Sequence, residues 1–269
     1  MAGEARSIER DGVKLAFQAA GEGDPTLVFV HPWCGDSEFF TSQLEHFGRK
    51  ARCIAVDLRG HGRSDAPATT YSIAGFADDV AWMCSQLEVE RAVVIGNSMG
   101  ANVAVELAAS HERLVSGLVL LDAVPVTPDA GLMRLLEQFL DQLRGPSSVD
   151  AQRQYCEGFL FLPGDDSARK RWIVDRMCAT DRSVAAEAFA GSISWDGEAA
   201  ARRLTVPVTV LAASDLQAPN EDIIRALLPH ASIHAVPRVG HFMQLEDPDA
   251  VNGHIEQFLR TLVPVQRAE

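Results

Sequence analysis

The stretch "VVIGNSMGAN", residues 93–102, sets one serine between two glycines at the end of an apolar run. The β-branched residues before Ser98 predict a buried strand, and the Ala- and Val-rich residues after it predict a helix. Glycines two positions to either side of the serine let such a strand and helix approach closely through a sharp turn. The G-x-S-x-G match alone also fits a serine tolerated in a tight turn, but its flanking elements favour an exposed nucleophile.

Outside this stretch, short apolar runs alternate with helical patterns, which predicts a mainly parallel α/β sheet covered by helices. Residues 7–21 alternate more strongly and predict an N-terminal hairpin. Residues 72–88 and 100–111 have helical spacing. The strand candidates are residues 26–30, 52–58, 92–96, 116–122, 206–213 and 231–236.

The strand signal disappears between about Pro125 and Arg203, where amphipathic helical stretches are separated by "GPSS" and "LPGDD". We interpret this segment as a helical insertion between two strands. The sequence therefore predicts a core built from residues 1–124 and 204–269, interrupted by a helical cap at 125–203.

The chain of 269 residues carries 24 Lys and Arg against 37 Asp and Glu, a net charge of -13. This charge disfavours nucleic acid and anionic membranes as partners. No apolar run approaches the roughly 18 to 20 residues of a membrane span, and "MAGEARSIERDG" lacks the apolar segment of a secretory signal. The five cysteines have no C-x-x-C spacing. We expect a cytoplasmic protein with reduced thiols.

A serine hydroxyl needs a base, and the best candidate is His241, in a loop after the last strand candidate. The histidines that we expect to be structural or solvated are His46, His111, His230, His234 and His254. An acid must orient the imidazole. Asp215 and Asp122 each follow a strand candidate, and both give the chain order Ser, Asp, His.

Five motifs in this order resemble those of the α/β-hydrolase fold superfamily. They are "HPWCGD" (31–36), "DLRGHGRSD" (57–65), "GNSMG" (96–100), the D-x-x-x-P match at 215–219 and "GHFMQLEDP" (240–248). The resemblance implies a mainly parallel sheet flanked by helices, an inserted cap and a Ser-His-Asp triad. Members of the family more often carry the acid at the position of Asp215, and some carry it at that of Asp122, so both stay open.

The resemblance also implies an oxyanion hole formed by the backbone N–H groups of Trp33 and Met99. Pro32 stands where the family usually has glycine, which stiffens the loop without removing the donor at Trp33. We expect His31 to brace this loop rather than to react.

This equipment predicts a serine hydrolase that cleaves a carboxylic ester, thioester or lactone through an acyl-enzyme, without a cofactor or metal. Two alternatives of the same fold are a cofactor-independent ring-cleaving dioxygenase, which resembles this chain in Trp33-Cys34 and in an acid placed like Asp122, and a carbon–carbon bond hydrolase. The expected partner is a hydrophobic small molecule, bound by a monomer or homodimer. The cap aromatics that suggest an apolar pocket are Phe139, Tyr155, Phe159, Phe161, Trp172, Phe189 and Trp195.

Overall fold

The structure, a computed structural model, describes residues 4–123, 125, 128–213 and 221–262. Within these ranges, eight strands form one sheet in the order β1-β2-β4-β3-β5-β6-β7-β8. The strands are β1 (Glu4–Arg10), β2 (Val13–Ala20), β3 (Thr26–Val30), β4 (Arg52–Val56), β5 (Ala92–Asn97), β6 (Val115–Leu121), β7 (Val208–Ala213) and β8 (Ser232–Val236). The hairpin strands β1 and β2 pair antiparallel with each other, and β2 pairs antiparallel with β4. All other neighbouring strands are parallel.

Helices pack against this sheet and account for the regions with helical spacing. They are α1 (Thr41–Phe47), α2 (Ile73–Gln86), α3 (Met99–Ser110), α4 (Ala130–Arg144), α5 (Ser148–Phe159), α6 (Ser167–Met177), α7 (Arg182–Ile193), α8 (Gly197–Ala201), α9 (Glu221–Leu227), α10 (Met243–Glu246) and α11 (Pro248–Leu262). A 3₁₀ turn, Ser37–Phe40, precedes α1. No described helix combines the length and the apolar composition that crossing a bilayer requires.

The predicted α/β class and the mainly parallel sheet are confirmed. The central strands β3 and β5 are buried along their whole length, as their continuous apolar runs predict. Ser72 accepts a hydrogen bond from the N–H of Gly75 and so begins α2 at the start of the predicted helical segment 72–88.

Between β6 and β7, the described residues hold helices α4 to α8 and no strand. These helices occupy residues 130–201, inside the segment predicted as a cap. The strands β3, β5, β6 and β8 run in one direction, so the segments that follow them meet at the same edge of the sheet. This edge, beneath the helices of 130–201, carries the candidate catalytic side chains.

Candidate active site

Ser98 lies at the predicted junction, between the end of β5 and the start of α3, with φ 54° and ψ -122°. Such a backbone conformation is costly for a residue with a side chain and persists only where the surroundings enforce it. A Cβ on Gly96 would lie 2.2 Å from the carbonyl oxygen of Gly100, and one on Gly100 would lie 2.1 Å from that of Val30. The two glycines therefore permit the close contact that holds Ser98 in the strained turn.

The imidazole of His241 is oriented by a carboxylate from the end of β6. His241 Nδ1 donates a hydrogen bond of 2.7 Å to Asp122 Oδ2, and the other carboxylate oxygen accepts one of 3.2 Å from the N–H of Ala213. Asp122 has φ 46°, a second strained position at this sheet edge. Asp215, the other candidate acid, lies outside the described residues. The observed bond places a proton on Nδ1, which leaves Nε2 free to act as a base.

Ser98 and His241 line one cavity. Ser98 Oγ has no hydrogen-bond partner among the residues that the structure describes. Contacts between nucleophile and base are often loose in ligand-free enzymes and tighten in the complex.

Three consecutive main-chain N–H groups of the loop around His241 donate hydrogen bonds. The N–H of His241 donates to the carbonyl of Leu160, at the end of α5. The N–H groups of Gly240 and Phe242 donate to the carboxylate of Glu246, at 2.5 and 3.2 Å. Burial raises the pKa of Glu246, an effect that these two donors oppose. The imidazole is thus carried by a loop that has little freedom to shift.

The backbone N–H groups of Trp33 and Met99 make no hydrogen bond within the described chain, and both residues line the cavity. Met99 is the first residue of α3, where an N–H has no partner within the helix and the helix dipole is positive. The loop of Trp33 is closed by a bond from Gly35 N–H to Pro32 O of 2.9 Å. Two donors are therefore available beside Ser98.

His31 braces this loop, as expected from the sequence. Its Nδ1 donates to the Pro32 carbonyl at 2.7 Å, and its Nε2 accepts the N–H of Leu58 at 3.0 Å. The side chain is fully buried, and desolvation lowers its pKa. With both ring nitrogens bonded to the backbone, His31 has no atom left to react with a substrate.

The residues of "DLRGHGRSD" are also structural. Asp57 accepts the N–H groups of Ser37 and Arg63, which ties the turn after β4 to the 3₁₀ turn. His61 donates from Nδ1 to the Arg59 carbonyl, while its buried Nε2 has no partner in the described part of the chain. Burial lowers the pKa of His61 to about 3, so this ring is neutral.

The cavity has a volume of about 390 Å³ and lies between the sheet edge and the helices of 130–201. Such a volume is within the range of small-molecule sites. Its described lining is apolar apart from a few neutral polar groups and His241, and it includes no Lys, Arg, Asp or Glu. Of the seven aromatic side chains named from the sequence, Tyr155, Phe189 and Trp195 line it.

The other aromatic side chains pack elsewhere. Phe139 stacks on Tyr155 with ring centroids 4.3 Å apart, and both contact Trp33 edge-on. Phe161 packs on Phe242, Trp172 packs on Phe39, and Phe159 is 70% exposed.

Three contacts join the oxyanion loop, residues 31–36, to α6, to α7 and to the turn between these helices. Trp33 Nε1 donates to the Ala185 carbonyl at 2.9 Å, and Thr180 Oγ1 donates to that of Cys34 at 3.4 Å. Arg176 pairs with Asp36, and also with Glu38 at 2.8 Å. The loop that presents the Trp33 N–H is therefore held from both the sheet and the helices.

The sequence patterns did not point to Asn97, Gln244 or Glu246 as site residues. All three contact the His241 loop or one another. The available signal was that these polar residues lie close to Ser98 or His241 in the sequence. Polar side chains that become buried there need hydrogen-bond partners. Among the described residues, no three His, Cys, Asp or Glu side chains come together as metal ligands would.

Comparisons with known proteins agree with this geometry. Over 269 aligned residues, the chain is 27% identical to a non-heme chloroperoxidase of Streptomyces lividans, covering 93% of this chain and 98% of the relative. A solved structure described as an N-acyl homoserine lactone degrading enzyme is 29% identical, with a TM-score of 0.79, covering 94% of this chain and 100% of that one.

A thermophilic esterase from Thermogutta terrifontis shares the fold with a TM-score of 0.85 at 23% identity, over 96% of this chain and 99% of that one. The sequence profile described as "alpha/beta hydrolase fold" matches residues 25–162, a span that includes the elbow at Ser98, the oxyanion loop and Asp122. The chain therefore belongs to the α/β-hydrolase fold family.

Proposed function

We propose that this protein is a serine hydrolase that cleaves neutral carboxylic esters, thioesters or lactones with an apolar acyl or ring group. The proposal rests on one observation: Ser98 and His241 line the same apolar cavity. Ser98 lies on a strained elbow, and His241 is bonded through Nδ1 to Asp122. Acyl transfer requires a nucleophilic serine, a histidine base held in orientation by an acid, and two N–H donors for the oxyanion.

The reaction follows from these positions. Ser98 Oγ attacks the carbonyl carbon while His241 Nε2 accepts the hydroxyl proton, and the N–H groups of Trp33 and Met99 stabilise the oxyanion. The tetrahedral intermediate collapses, and His241 returns the proton to the departing alkoxide or thiolate, which leaves an acyl-serine. A water molecule, deprotonated by the same imidazole, then releases the carboxylic acid and restores the serine.

The cavity favours an uncharged substrate. Burying a carboxylate without a cation is costly, and the described lining supplies no Lys or Arg. The residues 214–220, after β7, contain no basic residue in sequence either. The similarity to a lactone-degrading enzyme supports the inclusion of lactones among the substrates to be tested.

The test is turnover of p-nitrophenyl esters of short and medium chain by the full-length protein and by Ser98→Ala. We expect the substitution to lower kcat by several orders of magnitude, because the acyl-enzyme can no longer form. A variant that kept most of the activity would exclude the acyl-enzyme mechanism. A parallel series of esters with a terminal carboxylate on the acyl chain should be hydrolysed with a much lower kcat/KM than the neutral esters.

A cofactor-independent ring-cleaving dioxygenase is the second candidate, favoured by one specific observation. Its expected acid is placed like Asp122, and Asp122 is the residue bonded to His241. In that reaction the His-Asp pair would deprotonate an aromatic substrate that then reacts with molecular oxygen. Oxygen uptake with a hydroxyquinolone substrate would support this candidate, and its absence alongside ester turnover would reject it. A carbon–carbon bond hydrolase is the third candidate. The described cavity lining disfavours it for any anionic substrate, because no Lys or Arg is present to bind a carboxylate.

A further inference from the structure

Asn97 is the last residue of β5, directly before Ser98, and its side chain is completely buried. Its Nδ2 donates two hydrogen bonds, one to the Leu121 carbonyl at 3.0 Å and one to the His241 carbonyl at 3.1 Å. Its Oδ1 accepts a third from Gln244 Nε2 at 3.0 Å. The side-chain amide has therefore used both of its donor hydrogens, and its oxygen is also bonded.

These partners are the main chain of the candidate triad. Leu121 immediately precedes Asp122, and its carbonyl also accepts the N–H of Ser98 at 3.1 Å. The second acceptor is the carbonyl of His241 itself. One side chain thus joins the backbone beside the nucleophile, the backbone beside the acid and the backbone of the base.

The hydrogen bond to His241 complements the others on its loop. Leu160 and Glu246 hold the N–H groups of residues 240–242, while Asn97 holds the His241 carbonyl from the sheet side. Removing Asn97 would take away this hydrogen bond to the His241 carbonyl. The imidazole could then move relative to Ser98, and a misplacement of about 1 Å can lower a catalytic rate by about 10²-fold.

The same buried amide network continues away from the triad. Gln43 Nε2 donates to the Gln244 carbonyl and to Asn252 Oδ1, both at 3.2 Å. Asn252 is buried in α11, and it contacts neither His241 nor Ser98 through any hydrogen bond in the described chain. It provides a matched position at which a buried amide can be lost without touching the triad.

We propose that Asn97 is a positioning residue that fixes His241 and the end of β6 relative to Ser98, an inference that rests on the proposed serine-hydrolase function. It acts through the main chain and does not touch the substrate. Loss of Asn97 should therefore lower kcat and the reactivity of Ser98. It should leave KM almost unchanged.

The experiment compares Asn97→Ala with Asn252→Ala in the full-length protein. Both should lower Tm, because each leaves buried polar groups without a partner. Asn97→Ala should lower kcat for p-nitrophenyl butyrate by about 10²-fold with KM within about twofold, and slow the labelling of Ser98 by a fluorophosphonate to the same extent. Asn252→Ala should keep both rates within about twofold of the parent.

Equal kcat values for the two variants would overturn the inference. Should Asn97→Ala fail to fold, Gln244→Leu removes only the donor that fixes the Asn97 amide. It should lower kcat in the same direction, and a kcat equal to that of Asn252→Ala would overturn the inference. A parent protein that a fluorophosphonate does not label at Ser98 would instead contradict the proposed function, so the two failures are distinguishable.

Discussion

At the scale of single residues, Asp122 carries the most specific expectation. One of its carboxylate oxygens bonds His241 Nδ1 and the other accepts the N–H of Ala213, so the carboxylate is fixed in its orientation. We predict that Asp122→Asn lowers kcat by about 10⁴-fold, because an amide can stabilise the wrong imidazole tautomer and cannot stabilise the imidazolium. Steady-state ester hydrolysis measures the effect.

The matched control is Asp215→Asn, the alternative acid from the sequence. We expect its kcat to stay within about tenfold of the parent, the range of an indirect effect. A loss at Asp215 as large as that at Asp122 would contradict the assignment of the acid.

The sequence identified Ser98 and His241 because each carries a local signal, a glycine-flanked turn and a loop after the last strand. It left the acid open because Asp122 and Asp215 follow neighbouring strands, and local sequence does not encode which loop reaches the imidazole. The role of Asn97 was out of reach for a related reason. Its partners Leu121 and His241 are 24 and 144 residues away in the chain.

Among the contacts between secondary-structure elements, the one between α6 and the oxyanion loop should affect catalysis. Arg176 bonds Asp36 and Glu38 and lies over the ring of Trp172 at 5.1 Å. Asp36 is almost fully buried, so Arg176→Met leaves its carboxylate without a cation and should loosen the loop that presents Trp33. We predict a fall in kcat/KM of about tenfold, equivalent to about 1.4 kcal/mol, measured by ester hydrolysis.

The matched control for this contact is Arg144→Met. Arg144 pairs with Glu187 between α4 and α7, and both side chains are about half exposed. Exposed pairs contribute little, so kcat/KM should stay within about twofold. Equal losses in the two variants would indicate a general destabilisation of the helical segment and would reject a specific link to the loop.

The elements themselves were largely predictable. The six strand candidates correspond to β3 to β8, because strands buried on both faces leave continuous apolar runs. The strand predicted to reach Leu58 ends at Val56, since the carboxylate of Asp57 binds N–H groups of Ser37 and Arg63 and turns the chain. The 3₁₀ turn, α1, α9 and α10 were not predicted, because each is too short to show a periodic pattern.

At the scale of the whole molecule, two buried histidines predict how stability depends on pH. The ring centroids of His31 and His61 are 5.1 Å apart. Burial lowers the pKa of both side chains, that of His61 to about 3. The unfolded chain binds protons at these residues near pH 6.5, while the folded protein does not. Their contribution to the free energy of unfolding is therefore complete above pH 6.5. It is lost as the pH falls from 6.5 towards the pKa values of the folded protein.

The measurement is the free energy of unfolding by urea at pH 6 and pH 5, for the parent and for His61→Phe. Between these values the parent should lose about 1 kcal/mol more than the variant, the share of one histidine. The phenylalanine keeps the packing on His31 and Phe76 but cannot be protonated. Parallel pH dependences of the two proteins would show that His61 is protonated equally in the folded and unfolded states.

In the proposed reaction Ser98 forms the covalent intermediate, which mass spectrometry can detect after treatment with a fluorophosphonate. We predict one adduct per chain, on the peptide that contains Ser98, and no adduct in Ser98→Ala. Asp122→Asn should be labelled far more slowly than Asp215→Asn, because only Asp122 is bonded to the base. An unlabelled parent protein, or an adduct that persists in Ser98→Ala, would exclude Ser98 as the nucleophile.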